Sequence, residues 1–187
     1  RRKDNLHLID QYELEHLDLN QYDCLFVTDF VDQEFLYEQR KKIEAFLQQR
    51  KVVIFCGHLF RKWLPGASLF LPKKINHYKD YEVCIAEEHP IFQGVDPYDM
   101  TYNKGVAGFF ARGYHPLPEG AQVLLAFKDN TPITYIDRQS TPGTILVHAG
   151  RDLLAYENQQ KTTDRISRQI YEWIMEECTA LKGEKVR

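Results

Sequence analysis

Hydrophobic positions along this chain fall into short blocks whose spacing changes from one region to the next. After Lys51 the residues Val52-Val53-Ile54-Phe55-Cys56 run without a polar break into Gly57-His58. That is the pattern of a strand covered on both faces, as in a parallel sheet. Residues 23–28 form an earlier strand that ends at Asp29. Between the two, Phe35, Leu36, Ile43, Phe46 and Leu47 recur at helical spacing against a charged opposite face, and Asp32 is placed to cap a helix running through Arg50. Together they predict a β-α-β unit that closes as a right-handed crossover between parallel strands.

The pattern predicts a short strand at 6–9, a short helix at 61–66 stopped by Pro65-Gly66, and a strand at 81–86. Pro90 opens a helical turn over 91–94, with Gly94 as its stop. From residue 105 onward the blocks shorten. Strands are expected at 108–115, 122–128, 133–137 and 144–148, with turns at 116–120, 129–132 and 140–143 between them. Such spacing makes antiparallel hairpins attached to an α/β part. A last amphipathic helix over 164–181 would bury Ile166, Ile170, Trp173, Ile174 and Leu181, leaving 182–187 as a frayed tail. The expectation is one α/β domain spanning 1–187, with a β-rich second half.

Composition narrows the function. The 187 residues are 43% apolar and 27% charged, with a formal net charge of −3. This suits a globular domain with an ordinary core and disfavours a dedicated binder of nucleic acid or anionic membrane. No apolar run approaches the ~18 residues of a membrane span, and the opening Arg1-Arg2-Lys3 leads into no apolar signal segment. Cys24, Cys56, Cys84 and Cys178 lie far apart without a Cys-x-x-Cys pair, so reduced thiols in a cytoplasmic protein are expected rather than a zinc knuckle. The chain starts without Met, as part of a larger polypeptide would, and a homo-oligomer is also compatible with it.

Four segments, taken in order, carry a family likeness. They are Lys51-Val52-Val53-Ile54-Phe55-Cys56-Gly57-His58 after a strand ending in Asp29, then His89-Pro90-Ile91-Phe92-Gln93-Gly94-Val95, Thr131-Pro132-Ile133-Thr134-Tyr135, and Pro142-Gly143-Thr144-Ile145-Leu146-Val147-His148-Ala149-Gly150. Over roughly residues 20–178 the chain resembles the class I glutamine amidotransferase-like superfamily, and within it the divergent branches that do not transfer ammonia. The resemblance implies a flavodoxin-like three-layer sandwich with a mainly parallel sheet and antiparallel hairpins in its C-terminal half. It also implies a first strand lying before Asp4 or hidden within 1–18. Active members of that family place a nucleophile in a Gly-x-Cys-x-Gly elbow, whose glycines permit a strained turn. Here Cys56 stands at the nucleophile, with Ile54 and His58 where the glycines would be. His148 stands for the base, but Ala149-Gly150-Arg151-Asp152 follows it where the family has His-Pro-Glu.

The leading expectation is therefore a degenerate amidotransferase-like domain acting as a ligand-binding or protein-interaction module. Its unknown small molecule or protein partner would meet Asp29, Gly57, His58 and Asp152 at the carboxyl ends of the strands, where α/β sheets gather ligands. The alternative is a cysteine-dependent hydrolase or amidase using Cys56 and His148, assisted by His58 or Asp152. Against it, Cys56 simply ends a core strand, His148 is a satisfied polar residue near a sheet edge, and Asp29 starts a helix by accepting backbone N–H groups. Cys56, His58, His148 and Asp29 could converge on zinc, but scattered histidines are more often packing residues, so no metal is expected. Tyr98, Tyr102, Phe109, Phe110 and Tyr114, interleaved with Lys104 and Arg112, could stack on a ring, though packing a loop against the sheet is the commoner use. Without Gly-x-Gly-x-x-Gly or a Walker loop, no cofactor is expected.

Overall fold

A computed structural model describes residues 5–185. In chain order its elements are β1 (Cys24–Val27), α1 (Gln33–Glu38), α2 (Arg40–Gln48), β2 (Val52–Cys56), β3 (Leu71–Pro72), β4 (Val83–Ile85) and α3 (Pro97–Thr101). There follow β5 (Tyr102–Asn103), β6 (Val106–Ala107), β7 (Gly113–Tyr114), β8 (Gln122–Phe127), β9 (Pro132–Asp137), β10 (Thr144–His148) and α4 (Arg165–Lys185). Six strands make one sheet in the order β1-β2-β10-β9-β8-β4. β1, β2 and β10 run parallel, while β9, β8 and β4 are added by antiparallel pairing. The fold is thus α/β with a mixed sheet. The expectation of a mainly parallel sheet is corrected, because the C-terminal hairpins do not form a satellite layer but build half of the sheet itself.

The unbroken apolar run of β2 has its physical reason in this order. β1 and β10 flank it on both edges, and a hydrophobic layer covers each face. Val52, Ile54 and Cys56 join Leu146 and the α4 residues Ile166, Ile170 and Trp173 on one side. Val53 and Phe55 join Ile43, Phe46, Leu47, Trp63, Ile145 and Val147 on the other. Each such aliphatic or aromatic side chain contributes about 1.5–3 kcal/mol when fully buried. All five α4 residues named from periodicity are buried.

Several local expectations are corrected. The single helix over 32–50 breaks at Gln39. There Gln39 leaves helical geometry (φ −90°, ψ 9°), its amide donates to the Phe35 and Tyr37 carbonyls, and Arg40 Nη1 also donates to the Tyr37 carbonyl at 2.9 Å with its guanidinium 4.1 Å from the Tyr37 ring centre. Asp32 does cap α1, accepting from the Glu34 and Phe35 amides at 3.1 and 3.2 Å. Residues 6–9 form no strand, and 61–66 form turns rather than a helix. The strand expected at 108–115 shrinks to β7 and an isolated bridge between Ala111 and Gly150. Its carbonyls are drawn in different directions: Gly108 accepts from Arg112 Nε, Arg112 from the Lys73 amide, and Phe110 from the Arg151 amide. Lys182 continues α4 instead of starting a frayed tail, and 186–187 lie outside the described residues, as does the segment before Asp4 where a further strand was expected.

The entry into β10 depends on close backbone approach. Asp137 organises the preceding turn, accepting from the Gln139 and Ser140 amides at 2.9 and 3.0 Å. The Thr144 amide then donates to the Lys51 carbonyl at 3.0 Å. A Cβ at Gly143 would lie 2.3 Å from that carbonyl oxygen and 2.9 Å from that of Leu47. Both are main-chain atoms, which cannot swing aside. Gly143→Ala is expected to lower the unfolding free energy by about 1–3 kcal/mol, the range of overpacked sites, read as a reduced urea midpoint with an unchanged slope.

Candidate functional site

The carboxyl ends of β1, β2 and β10 bring Asp29, Cys56-Gly57 and His148 through Asp152 to one end of the sheet. Cys56 and His148 are register partners, and the Gly57 amide continues the ladder by donating to the His148 carbonyl at 3.0 Å. The thiol is fully buried in the core layer that α4 covers. Burial pushes its pKa far above the usual thiol range. The nearby Leu153 amide opposes this in part, and the negative charges of Asp152 and Asp29 add to it. A reactive thiolate needs the opposite surroundings, electropositive and partly open.

His148 is equally buried. Its Nδ1 meets the Thr134 hydroxyl at 2.7 Å, its ring stands edge-on to Phe110 with centres 5.0 Å apart, and its Nε2 has no partner. Burial, with a smaller contribution from His115, pulls its pKa down to about 3. No hydrogen bond joins Cys56 to His148. His115 is buried too, accepting from the Leu59 amide at 3.0 Å, and its pKa falls to about 4, chiefly by burial. His58 turns its half-buried ring onto Phe70, stacked at 3.7 Å. Among the described residues, no three His, Cys, Asp or Glu side chains come together as a metal-holding group.

The carboxylates behave differently. Asp29 does not start a helix, since Asp32 does so. Its Oδ1 is buried without a hydrogen bond, and burial first, then the charge of Asp152, raises its pKa to about 6 against the opposing pull of Arg151. Gly57, at φ +144°, is required by this neighbour: a Cβ there would lie 2.7 Å from Asp29 Oδ1. Asp152 caps the turn Leu153–Ala155, accepting from the Leu154 amide at 2.8 Å, and burial raises its pKa as well. Two residues here escaped the sequence reading. Tyr156 packs under the Arg151 guanidinium, 5.4 Å from its ring centre, and beside Phe110 at 5.7 Å. Phe30 follows Asp29 with φ +65° and a fully exposed ring. The position of Arg151 to Tyr156 just after a parallel strand was the available signal for Tyr156, whereas nothing in a sequence marks a phenylalanine for left-handed backbone. The aromatic stretch 98–114 does not form one stacking face. Tyr98 and Phe109 are exposed, Phe110 is buried, and Arg112 lies over Tyr81 instead. A cavity of about 20 Å³ between Phe110, Arg151, Tyr156 and Lys161 has room for roughly one water.

No protein-family model and no curated protein matches the chain. Among solved structures it is similar to the cytoplasmic protein STM1381 from Salmonella typhimurium LT2, with a TM-score of 0.51 and 12% identity, over 91% of this chain and 74% of that one. It also matches the exo-beta-1,4-mannosidase Op5Man5 from Opitutaceae bacterium strain TAV5 at a TM-score of 0.35 and 12% identity, over 89% of this chain and 25% of that one. At such identity the first likeness concerns the α/β fold alone. Among the described residues, no helix is long and apolar enough to cross a membrane.

The buried imidazoles predict acid lability. Their folded pKa values of about 3 and 4 lie below the unfolded value near 6.5, so the unfolded chain takes up protons first as the pH falls. The stability they provide is complete above about pH 6.5 and is lost toward pH 4 and below, at up to about 1.4 kcal/mol per pH unit for each histidine. Asp29, whose folded pKa is raised, works in the opposite sense between about pH 6 and 4. In His148→Gln, which keeps an acceptor for Thr134, the slope of unfolding free energy against pH over that interval should fall by close to one proton, measured by urea titrations at several pH values.

Proposed function

We propose that this chain is a divergent class I glutamine amidotransferase-like domain with a flavodoxin-like sandwich, that it transfers no ammonia, and that it works as a binding module at the carboxyl ends of β1, β2 and β10. One observation carries the reading. Cys56 is the last residue of a regular strand buried on both faces, with its sulfur inside the core and its thiol held protonated. A nucleophile elbow would lift that sulfur out of the strand; Ile54, which fills the core two residues earlier, belongs to the strand instead. The half-buried carboxylates of Asp29 and Asp152, beside Gly57, are the polar groups left at the strand ends. A small molecule fits them better than a flat protein face, because the unsatisfied oxygen of Asp29 lies below the surface.

The rival, a hydrolase built on Cys56 and His148, needs a thiolate and a basic imidazole, and burial opposes both. Two measurements decide between them. Incubated with glutamine, the protein is expected to release no ammonia above a buffer blank. Treated with a thiol-specific alkylating probe at neutral pH and mapped by mass spectrometry, it should label the partly exposed Cys84 and Cys178 while Cys56 stays unmodified until the protein unfolds. Ammonia release that Cys56→Ala abolishes, or Cys56 labelling faster than the other thiols, would overturn the proposal.

A further inference from the structure

A second cavity, of about 260 Å³, opens between α2 and the segment that leads into β1. Leu17, Leu19, Ala45 and Phe46 form its apolar part, with Leu19 and Phe46 buried at the bottom and Ala45 exposed on the rim. Asp18, Asn20, Lys42 and Gln49 line the rest. Two lysines fix the walls. Lys42, on α2, donates to the Leu14 and Glu15 carbonyls at 2.7 and 3.3 Å. Lys51, just after α2, donates to the Asn20 carbonyl at 3.2 Å, and its ammonium stands 5.3 Å from the Phe46 ring centre. The cavity is thus set by main-chain anchors on both sides, which lowers the ordering cost of filling it.

Size and charge decide what fits. An apolar cavity of roughly 150 Å³ already holds benzene, so this one takes an apolar group together with a small polar head. The polar lining carries one charge of each sign. Asp18 uses one carboxylate oxygen on the Asn20 amide at 3.0 Å, and the other accepts nothing among the described residues. Lys42 has three N–H donors and directs hydrogen bonds only to the two main-chain carbonyls. The two charges form no ion pair with each other, and the side-chain amides of Asn20 and Gln49 make no hydrogen bond among the described residues. A purely cationic ligand would leave Lys42 unanswered, and a purely anionic one would leave Asp18. A zwitterion answers both, and an apolar substituent on it takes Leu19 and Phe46 out of water.

We propose that this cavity binds a free α-amino acid with an apolar side chain. Its ammonium group donates to Asp18, its carboxylate accepts from Lys42, and its side chain lies on Leu19 and Phe46. The site goes beyond the binding proposed at the strand ends and does not depend on it, since Asn20 and Gln49 stand beside the amino ends of β1 and β2, away from Gly57.

The test uses the whole chain, isotopically labelled, with backbone amide shifts followed by NMR near neutral pH during titration with L-leucine, glycine, N-acetyl-L-leucine and L-leucinamide. Leucine is expected to move the Leu17, Asn20, Ala45 and Gln49 amides saturably. Glycine, which has no apolar group, should leave them in place. The two analogues, each lacking one charge, should bind about tenfold more weakly, as for loss of one charged hydrogen-bond partner. Asp18→Asn keeps an oxygen for the Asn20 amide but removes the charge, and should weaken leucine binding by a similar factor. Ala45→Leu fills the cavity from its rim without removing a hydrogen bond. It should abolish the shifts while the melting temperature stays within a few degrees, and it remains informative if Asp18→Asn fails to fold. Absence of saturable shifts with leucine, equal shifts with glycine, or unchanged affinity in Ala45→Leu would overturn the inference. Affinity equal to that of leucine for either analogue would overturn the zwitterion class. None of these outcomes bears on ammonia release or Cys56 labelling, which test the proposed function separately.

Discussion

Strand β2 has no side that water can reach. β1 and β10 hold its edges, α4 and its neighbours cover one face, and α2 with Trp63 covers the other. Five consecutive apolar or thiol residues are the only side chains that satisfy this position, since any ionised group placed there would lose its hydration without a partner. The constraint reaches the end of the strand. Because Cys56 still belongs to β2, its sulfur inherits the interior, and because His148 lies opposite it in register, the imidazole inherits the interior as well. Only at Gly57 does the chain leave the sheet, and it does so under the Asp29 carboxylate, in a conformation and a space that no side chain shares comfortably.

Burial then sorts the titratable groups by the sign of their charged form. Desolvation penalises whichever form carries charge, so it raises the thiol and the carboxylates and lowers the imidazoles. For Cys56 and His148 this removes both halves of a thiolate–imidazolium pair in the same stroke, and proximity cannot restore them in a corner where no hydrogen bond links the two. For Asp29 the outcome is different. It is only half-buried, it borders a second carboxylate, and Arg151 offsets the repulsion without closing on either group. At the strand ends the half-buried carboxylates, not the cysteine, are thus the groups that can titrate in an ordinary pH range.

The sequence made some of this legible and hid the rest for definite reasons. The β-α-β unit, the buried run of β2, the hairpin strands after residue 120 and the inner face of α4 were readable because each expresses a strict period against a single core. What failed were segments whose structure is settled by particular contacts. The break at Gln39 goes with a local turn whose Tyr37 carbonyl accepts from both Gln39 and Arg40, and the segment 108–115 has its carbonyls held by three separate hydrogen bonds. The candidate site was legible by position: Asp29, Gly57 and Asp152 do gather at the strand ends. It was not legible by role. That Asp32 rather than Asp29 caps the helix, that His58 stacks on Phe70, and that Tyr156 packs beside Phe110 under Arg151 are matters of side-chain direction, which spacing does not encode.

Gly57 sits between the buried cysteine and the Asp29 carboxylate. In an elbow built for catalysis, small residues around the cysteine serve to expose its sulfur. Here the only small neighbour follows the cysteine, and the space it leaves is occupied by a carboxylate oxygen rather than by a substrate carbonyl. The residue that would have assisted a nucleophile instead admits a negative charge to within contact of the main chain. A negative charge at that point would itself raise the pKa of an adjacent thiol. At Gly57 the carboxylate therefore adds, after burial and Asp152, to what keeps the Cys56 thiol protonated.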